Sequence, residues 1–303
     1  MRAGPLHEPD GDLPLRREPP AVKPPLGWAA AGPVRLVATD LDGTLLQPDG
    51  TVSERTVEAV QAAREAGILV VPVTGRPPRA TWEVAQGAGL GPLGACANGA
   101  AVVDVVSMEV TELETIEVPL ATTLVKGLRQ SFPGTLFAVE GVDSFDYEAG
   151  FFETERLWDG AVNEVEDIMD TLVAASMKLI ARRPGSSVRD LLAHLSDGHA
   201  GRQSAISVTS SGLDWVEIAA AGISKAYGTR RLCDLLNVDS AQVVAVGDYY
   251  NDLPLLAWAS RTAAPANALP EILTMVDVVV PPNSEDGVAQ LLEAIVEGQA
   301  SQG

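Results

Sequence analysis

The sequence predicts an α/β fold, a parallel-sheet core interrupted by an α+β insertion, on three observations. Short apolar strands alternate with helical stretches from Val34 to Ala100 and again from Ile223 onward, the pattern of βαβ units around a parallel sheet. Between them, from about residue 101 to residue 218, strands outnumber helices, which suits a mostly antiparallel layer. Three core strands also end in clusters of Asp, Asn, Thr and Gly. The carboxyl edge of an open parallel sheet is where such folds place ligands.

Residues 1–33 hold eight of the 21 prolines with charges of both signs, so they are expected to form a disordered or extended leader outside the fold. The apolar run Val34-Arg-Leu-Val-Ala-Thr39 reads as a buried strand that leads into Asp40-Leu-Asp-Gly-Thr. Positions i and i+2 of an extended chain face the same side, so Asp40 and Asp42 can converge on one substrate, and Gly43 breaks the strand beyond them. An Asp/Gly turn is the alternative reading of these residues alone. Ser53 can cap a helix from 53 to 66 that Gly67 ends. Ile68 to Val73 is a second strand, and Thr74-Gly75 beyond it offers a hydroxyl and an unencumbered N–H to an anion. A helix is expected from Pro77 to Gln86. Gly87-Ala-Gly-Leu-Gly91 follows that helix and continues with Pro92, so it reads as a connection to the next strand and not as a dinucleotide loop.

The insertion begins after Asn98-Gly-Ala. Strands are expected at 101–106, 135–140, 175–181, 205–209 and 214–218, with helices at 121–130 and 187–195. The acidic stretch 143–170 shows no regular period. A helix from Ser224 to Leu236, a strand from Ala241 to Val246 and a helix from Leu253 complete the core. That last strand ends in Gly247-Asp248, with Asn251 and Asp252 just beyond.

A chain of 303 residues, 46% hydrophobic, has room for two modest domains with real cores. The net charge of −20 argues against nucleic acid or an anionic membrane surface as a partner. An anionic substrate would have to be met by local cations. Cys96 and Cys233 give no disulfide framework and read as buried thiols, which points to a reducing compartment, the cytoplasm. Neither begins a Cys-x5-Arg nucleophile motif, since Val102 and Asp239 stand where the arginine would be. His7, His194 and His199 lie outside the strand-end clusters, against a Ser-His-Asp or His-rich metal site. No stretch approaches the ~20 apolar residues of a membrane helix.

Four segments occur in a telling order: Asp40-x-Asp42-Gly-Thr, Thr74-Gly-Arg, Lys225 in Gly222-Ile-Ser-Lys, and Gly247-Asp-x-x-Asn-Asp252. Together they resemble the motifs of the haloacid dehalogenase superfamily of phosphotransferases. The spacing is similar to that of the Cof-type sugar-phosphatase branch, as are Ala266-Asn-Ala and Asn283-Ser-Glu-Asp-Gly-Val288. The resemblance runs from about Val34 to Val296. It implies a Rossmann-like core at 34–100 and 219–303 and an α+β cap at 101–218. It also implies hydrolysis of small phosphorylated metabolites through an aspartyl-phosphate, with Mg2+ as cofactor. Asp40 would be the nucleophile, Asp42 the general acid and base, and Lys225 a fixed positive charge, which explains a lysine placed against the dipole at a helix start. Gly43, Thr74, Gly75 and Asn251 would cradle the phosphate. Asp248 would bind the metal with the Asp40 side chain and the Asp42 carbonyl, while Asp252 would orient a water on it.

Tyr249, Tyr250, Leu255 and Ala266 depart from that branch's usual residues. Asn267 would bond a neighbouring carboxylate or stabilise a turn. A phosphomutase shares the same core and intermediate, and a non-catalytic phosphometabolite-binding protein shares the fold, although the intact acidic residues and Lys225 argue against the latter. Substrate choice would reside in the cap, where Lys178, Arg182, Arg183 and Arg202 are cationic candidates and solvated surface charge is the simpler reading.

Overall fold

A computed structural model describes Val22, Pro25, Trp28 and residues 32–152, 161–172, 176–197 and 205–301. Strand β1 (Leu36–Thr39) is buried along its length and delivers Asp40 at its end. Helix α1 (Glu54–Glu65) starts where the Ser53 hydroxyl accepts the Thr56 N–H, and turns Thr56, Ala59, Val60 and Ala63 inward. It returns the chain to β2 (Leu69–Pro72), parallel to β1. Helix α2 (Pro78–Ala88) opens with proline and ends at Gly89 in the left-handed conformation, so the glycine-rich segment is the expected helix-to-strand connection. β3 (Leu93–Cys96), β4 (Ala101–Asp104) and β5 (Glu109–Leu113) form a separate antiparallel sheet of three. The first strand expected in the insertion therefore pairs with β3 and not with the insertion's own sheet.

That sheet has six strands. Helix α3 (Val118–Ser131) precedes β6 (Leu136–Glu140), β7 (Ser144–Glu148), β8 (Ala161–Val165) and β9 (Lys178–Arg182). Helix α4 (Val188–Asp197), β10 (Ile206–Thr209) and β11 (Val216–Ala220) complete it. The order is β10-β11-β9-β6-β7-β8, antiparallel except for the β7/β8 pair. Strand alternation splits its side chains cleanly. Phe137, Val139, Leu179, Ala181, Val216 and Ile218 pack in one cluster with residues of α3 and α4. Ala138, Phe145, Ile180 and Trp215 form a second cluster with Phe151. β7 and β8 come from the stretch without a readable period. An inward position there is polar: Glu148 is buried, where it accepts from Arg129 and from the N–H groups of Phe137 and Ile168.

The core resumes with α5 (Lys225–Leu236), capped by Ser224, then β12 (Val243–Val246), α6 (Leu253–Trp258), β13 (Thr262–Pro265), the short α7 (Pro270–Leu273), β14 (Val278–Val280) and α8 (Gly287–Ala300). The main sheet is parallel throughout in the order β14-β13-β12-β1-β2. Most of the expected leader, with His7, lies outside the described residues, as do His199 and Arg202. Trp28 does not behave as part of a detached leader. It is 7% exposed and joins the main core cluster, and the Gly32 carbonyl accepts from Arg261 Nη2 at 2.6 Å. Among the described residues, no helix is long and apolar enough to cross a membrane.

Candidate active site

Because β2, β1 and β12 are neighbours, their carboxyl ends bring Thr74, Asp40 and Asp248 together. The Asp40 N–H donates to the Val246 carbonyl at 3.0 Å, which ties the first motif to the last. Lys225 joins them from the first turn of α5. Its Nζ lies 2.8 Å from Asp40 Oδ1 and 2.6 Å from Asp252 Oδ1, and the side chain is fully buried. Helix α5 comes this close because two glycines face each other: a Cβ on Gly99 would fall 2.2 Å from the Ser224 carbonyl, and one on Gly228 would fall 2.8 Å from Gly99 Cα. The other oxygen of Asp252 accepts the N–H groups of Asp248 and Tyr249, each at 3.0 Å. Asp252 thus holds Lys225 and the Asp248 loop in place. Asp248 itself accepts from the Thr44 hydroxyl at 2.7 Å. Gly43 is required beside it, with φ +76° and a would-be Cβ only 2.4 Å from Asp248 Oδ2.

Crowded carboxylates have an electrostatic consequence. Burial pushes Asp40 well above the usual carboxylate range; Lys225 pulls it back, and Asp252 and Asp248 push it up again. Burial, then Asp252, raise Asp248 to about 6. Lys225 goes the other way: burial lowers it, but Asp252 and Asp40 outweigh that and hold the ammonium charged. Asp40, Asp248 and Asp252 each place an oxygen within 4.8 Å of the others. One lysine against two buried carboxylates and the half-buried Asp248 leaves excess negative charge, and hard oxygen donors suit a cation of the Mg2+ kind. The residues therefore fit that group. Asp252, with both oxygens engaged, fits a supporting place better than direct ligation.

Asp42 lines the same cavity, but Arg76 grips both its oxygens, Nε to Oδ2 at 2.7 Å and Nη2 to Oδ1 at 2.6 Å. The sequence reading gave Arg76 no role. Acid or base work by Asp42 requires release from this fork.

The Thr74 hydroxyl accepts the Arg76 N–H at 3.1 Å, and the Thr74 carbonyl accepts the Asn98 N–H. Asn98, in the left-handed conformation, receives Asn251 Nδ2 on its Oδ1 at 3.1 Å. Asn251 Oδ1 is buried without a hydrogen-bond partner. Asn98 in turn donates Nδ2 to Glu217, a residue the sequence reading missed. Glu217 is 4% exposed and also accepts from Lys178 Nζ at 3.2 Å, Ser211 Oγ and Trp215 Nε1 at 3.4 Å. Burial alone would raise its carboxyl, but Lys178 and these donors bring it below its ordinary value. A lone Glu inside the apolar strand Val216-Glu-Ile-Ala was the available signal, since buried charge needs partners. Lys178 also donates to the Gly75 carbonyl at 2.8 Å, so β9 and β11 are stitched to the loop after β2.

Of the four cap cations, Lys178 and Arg182 are buried rather than solvated. They share with Ile180 the β9 face that turns away from α3 and α4. Arg182 bonds Asp214 and the Phe151 carbonyl, and Arg183 lies over the Phe132 ring. His194 packs edge-on against Phe132, away from the site. Among the described residues, Asn267 bonds no carboxylate. It donates to the Gly43 carbonyl at 2.7 Å and accepts the Asn283 N–H at 2.9 Å. Both cysteines are buried, as expected.

All the expected site residues except Lys225 and Asp252 border one cavity of about 690 Å³, roofed by the six-stranded sheet. A family model described as haloacid dehalogenase-like hydrolase matches residues 37–292. Pyridoxal phosphate phosphatase YbhA of Escherichia coli is 27% identical over 265 residues, covering 85% of this chain and 97% of that protein. The 5-amino-6-(5-phospho-D-ribitylamino)uracil phosphatase YitU of Bacillus subtilis is 29% identical over 269 residues, covering 85% and 96%. Among solved structures, SMU.1108c of Streptococcus mutans superposes with a TM-score of 0.75 at 19% identity, over 87% of this chain and 99% of that one. The subclass IIB sugar phosphatase BT4131 gives 0.74 at 16% identity, over 86% and 98%. At these identities the two structures speak for the fold alone.

Proposed function

For a chain that belongs to the haloacid dehalogenase-like hydrolase family and is a phosphoric monoester hydrolase, we propose a double displacement at Asp40, with residues 34–100 and 219–303 as the catalytic core and 101–218 as its cap. Small phosphorylated metabolites are the substrates. The observation that carries the mechanism is the buried set in which Lys225 bridges Asp40 and Asp252 with Asp248 alongside.

In the first step an Asp40 oxygen bonds to phosphorus while the ester oxygen departs with a proton from Asp42. In the second, Asp42 takes a proton from water, whose oxygen attacks phosphorus and releases phosphate from the Asp40 carboxyl. Lys225 orients Asp40 and opposes the upward push of burial on its carboxyl, and Asp252 fixes Lys225. The hydroxyl of Thr74 and the N–H groups at Gly43 and Gly75 supply phosphate contacts. Asp40, Asp248 and the Asp42 carbonyl would hold a magnesium-type cation, which supplies charge neutralisation for a dianionic phosphate approaching carboxylates. Asp42 must leave the Arg76 fork to act, so Arg76 governs how often the acid is available.

Rapid quench followed by intact mass tests this. Asp42→Asn should accumulate one added phosphoryl group and Asp40→Asn none. Robust turnover by folded Asp40→Asn, or phosphoryl transfer mapped to another residue, refutes it.

A further inference from the structure

A phosphate dianion entering the cavity meets a wall of its own sign. Among the described residues that line it, five are carboxylates, Asp40, Asp42, Glu140, Glu217 and Asp248, and two are cations, Arg76 and Lys178. Lys178 is 4% exposed and already held by Glu217 and the Gly75 carbonyl. Lys225 is fully buried between Asp40 and Asp252. Among the described residues, Arg76 is therefore the cation at the cavity that a substrate can reach, with a side chain 26% exposed. A chain of net charge −20 repels an anion at long range, so the accessible local cation decides whether the phosphate settles.

Arg76 is fixed at its backbone and free to turn at its tip. Its N–H donates to the Thr74 hydroxyl at 3.1 Å, and its carbonyl accepts the Ala97 N–H at 2.8 Å. The guanidinium gives Nε and Nη2 to Asp42, whose side chain is 57% exposed, while Nη1 has no hydrogen-bond partner among the described residues. The bonds to Asp42 raise the guanidinium pKa, burial lowers it, and the charges of Asp42 and Asp40 raise it again, which places this group within the field of the nucleophile. An ion pair this open to water contributes little net stability, because the separated charges are solvated nearly as well. A phosphate presents the same two-oxygen face with an additional negative charge, and is the stronger partner for a planar fork.

We propose that Arg76 is a substrate-binding residue that exchanges partners: the incoming phosphate takes the Nε and Nη2 fork from Asp42, and the displaced carboxyl is released to serve the ester oxygen. The proposal rests on the phosphatase reading above, which places the phosphorus at Asp40. As long as the fork holds Asp42, both carboxylate oxygens are taken and the acid is withheld. Phosphate binding and acid release become one event, so acid chemistry is confined to occupied sites. The exchange also favours monoesters, because a diester keeps only two unsubstituted oxygens sharing one charge and competes poorly with a carboxylate.

Crystals of the wild-type protein with Mg2+ and inorganic phosphate should show the Arg76 fork on phosphate oxygens and Asp42 turned away from it. Phosphate bound with the fork still on Asp42 overturns the proposal. Calorimetric titration with inorganic phosphate in the presence of Mg2+ reads the same contact in solution. Arg76→Met should weaken binding by about tenfold or more, and Arg76→Lys, which keeps the charge and loses the fork, should fall between it and wild type. An Arg76→Met affinity within about twofold of wild type, below the effect of one charge-assisted bond, overturns the proposal. Kinetics on phenyl phosphate separate exchange from a simple lock. Under exchange Arg76→Met raises KM and keeps kcat within about threefold, since Asp42 is free in both proteins once phosphate is bound. A higher kcat at unchanged KM would mean that Arg76 only withholds the acid, and overturns the exchange. Arg76-dependent phosphate binding with no phosphate released from any monoester would refute the phosphatase reading and uphold the contact; turnover with a phosphate affinity indifferent to Arg76 would refute the exchange alone.

Discussion

Removing Glu217 should be far more damaging than removing the lysine it holds. In Glu217→Ala the Lys178 ammonium, 4% exposed, keeps the Gly75 carbonyl as its hydrogen-bond partner and Glu140 as a neighbouring carboxylate, and Asn98, Ser211 and Trp215 each lose an acceptor. Breaking a buried ion pair from one side costs about 3–5 kcal/mol. At roughly 2–4 °C per kcal/mol for a chain of this class, the melting temperature should fall by about 6–20 °C. Lys178→Met leaves Glu217 with three donors and should cost less, about 1–3 kcal/mol. Lys178→Met combined with Glu217→Gln removes both charges and should recover most of the loss. Acid should erase the difference. The folded carboxyl lies below its ordinary 4.5, so its contribution is complete above that pH and is lost as pH falls through the folded value. Thermal unfolding of the four proteins by calorimetry at pH 7.5, repeated at decreasing pH, measures all of this. A Glu217→Ala protein within 1 kcal/mol of wild type, or no dearer than Lys178→Met, would refute the idea that this carboxylate organises the cap-to-core contact.

Gly43→Ala should keep its circular dichroism and lose at least about a hundredfold in kcat/KM, because a methyl at φ +76° drives into Asp248; wild-type turnover would show that the loop relaxes freely. Trp28→Ala should lower stability by about 3 kcal/mol or more, since the side chain is 7% exposed within the main core; an unchanged melting temperature would restore the detached leader. Exhaustive chelation should abolish phosphate release and Mg2+ should restore it, while retained activity would remove the cation from the mechanism. Burial pushes the Cys96 thiol up to about 12 and the Cys233 thiol up to about 11, so iodoacetamide at pH 8 should label neither in the native protein and both in urea; rapid native labelling would mean that α5 or β3 opens.

The strand ends were legible because their chemistry is local. An apolar run that stops at Asp40, Thr74 or Asp248 announces both the strand and the site, and parallel neighbours then bring those ends together without any further information. Ser53 and Ser224 were legible for the same reason, as caps beside their own helices. What escaped depends on partners distant in sequence. The Asp42–Arg76 fork joins residues 34 positions apart, and Trp28 shows only that it is large and apolar, not what it packs against.

Glu217 illustrates the limit most sharply. Its parity in β11 places it on the face away from the helices, which the alternation of Val216 and Ile218 already dictates. Its partner depends on register: Glu217 stands opposite Ile180, so Lys178 falls diagonally beside it on the same face. A slip of two residues between β9 and β11 would preserve every inward and outward assignment and still separate the pair. Hydrophobic pattern cannot distinguish those registers. The buried charges can, because the observed pairing puts the Glu217 carboxylate 3.2 Å from Lys178 Nζ while that ammonium also reaches Gly75 and stands opposite Glu140 on β6. The same two side chains that complete the cavity wall thus select the strand register that builds it. If so, the Lys178→Met/Glu217→Gln protein should keep its stability yet lose register discrimination. Wider amide exchange across β9 and β11, at a melting temperature near wild type, would reveal that loss, whereas protection equal to wild type would show that the apolar contacts fix the register unaided.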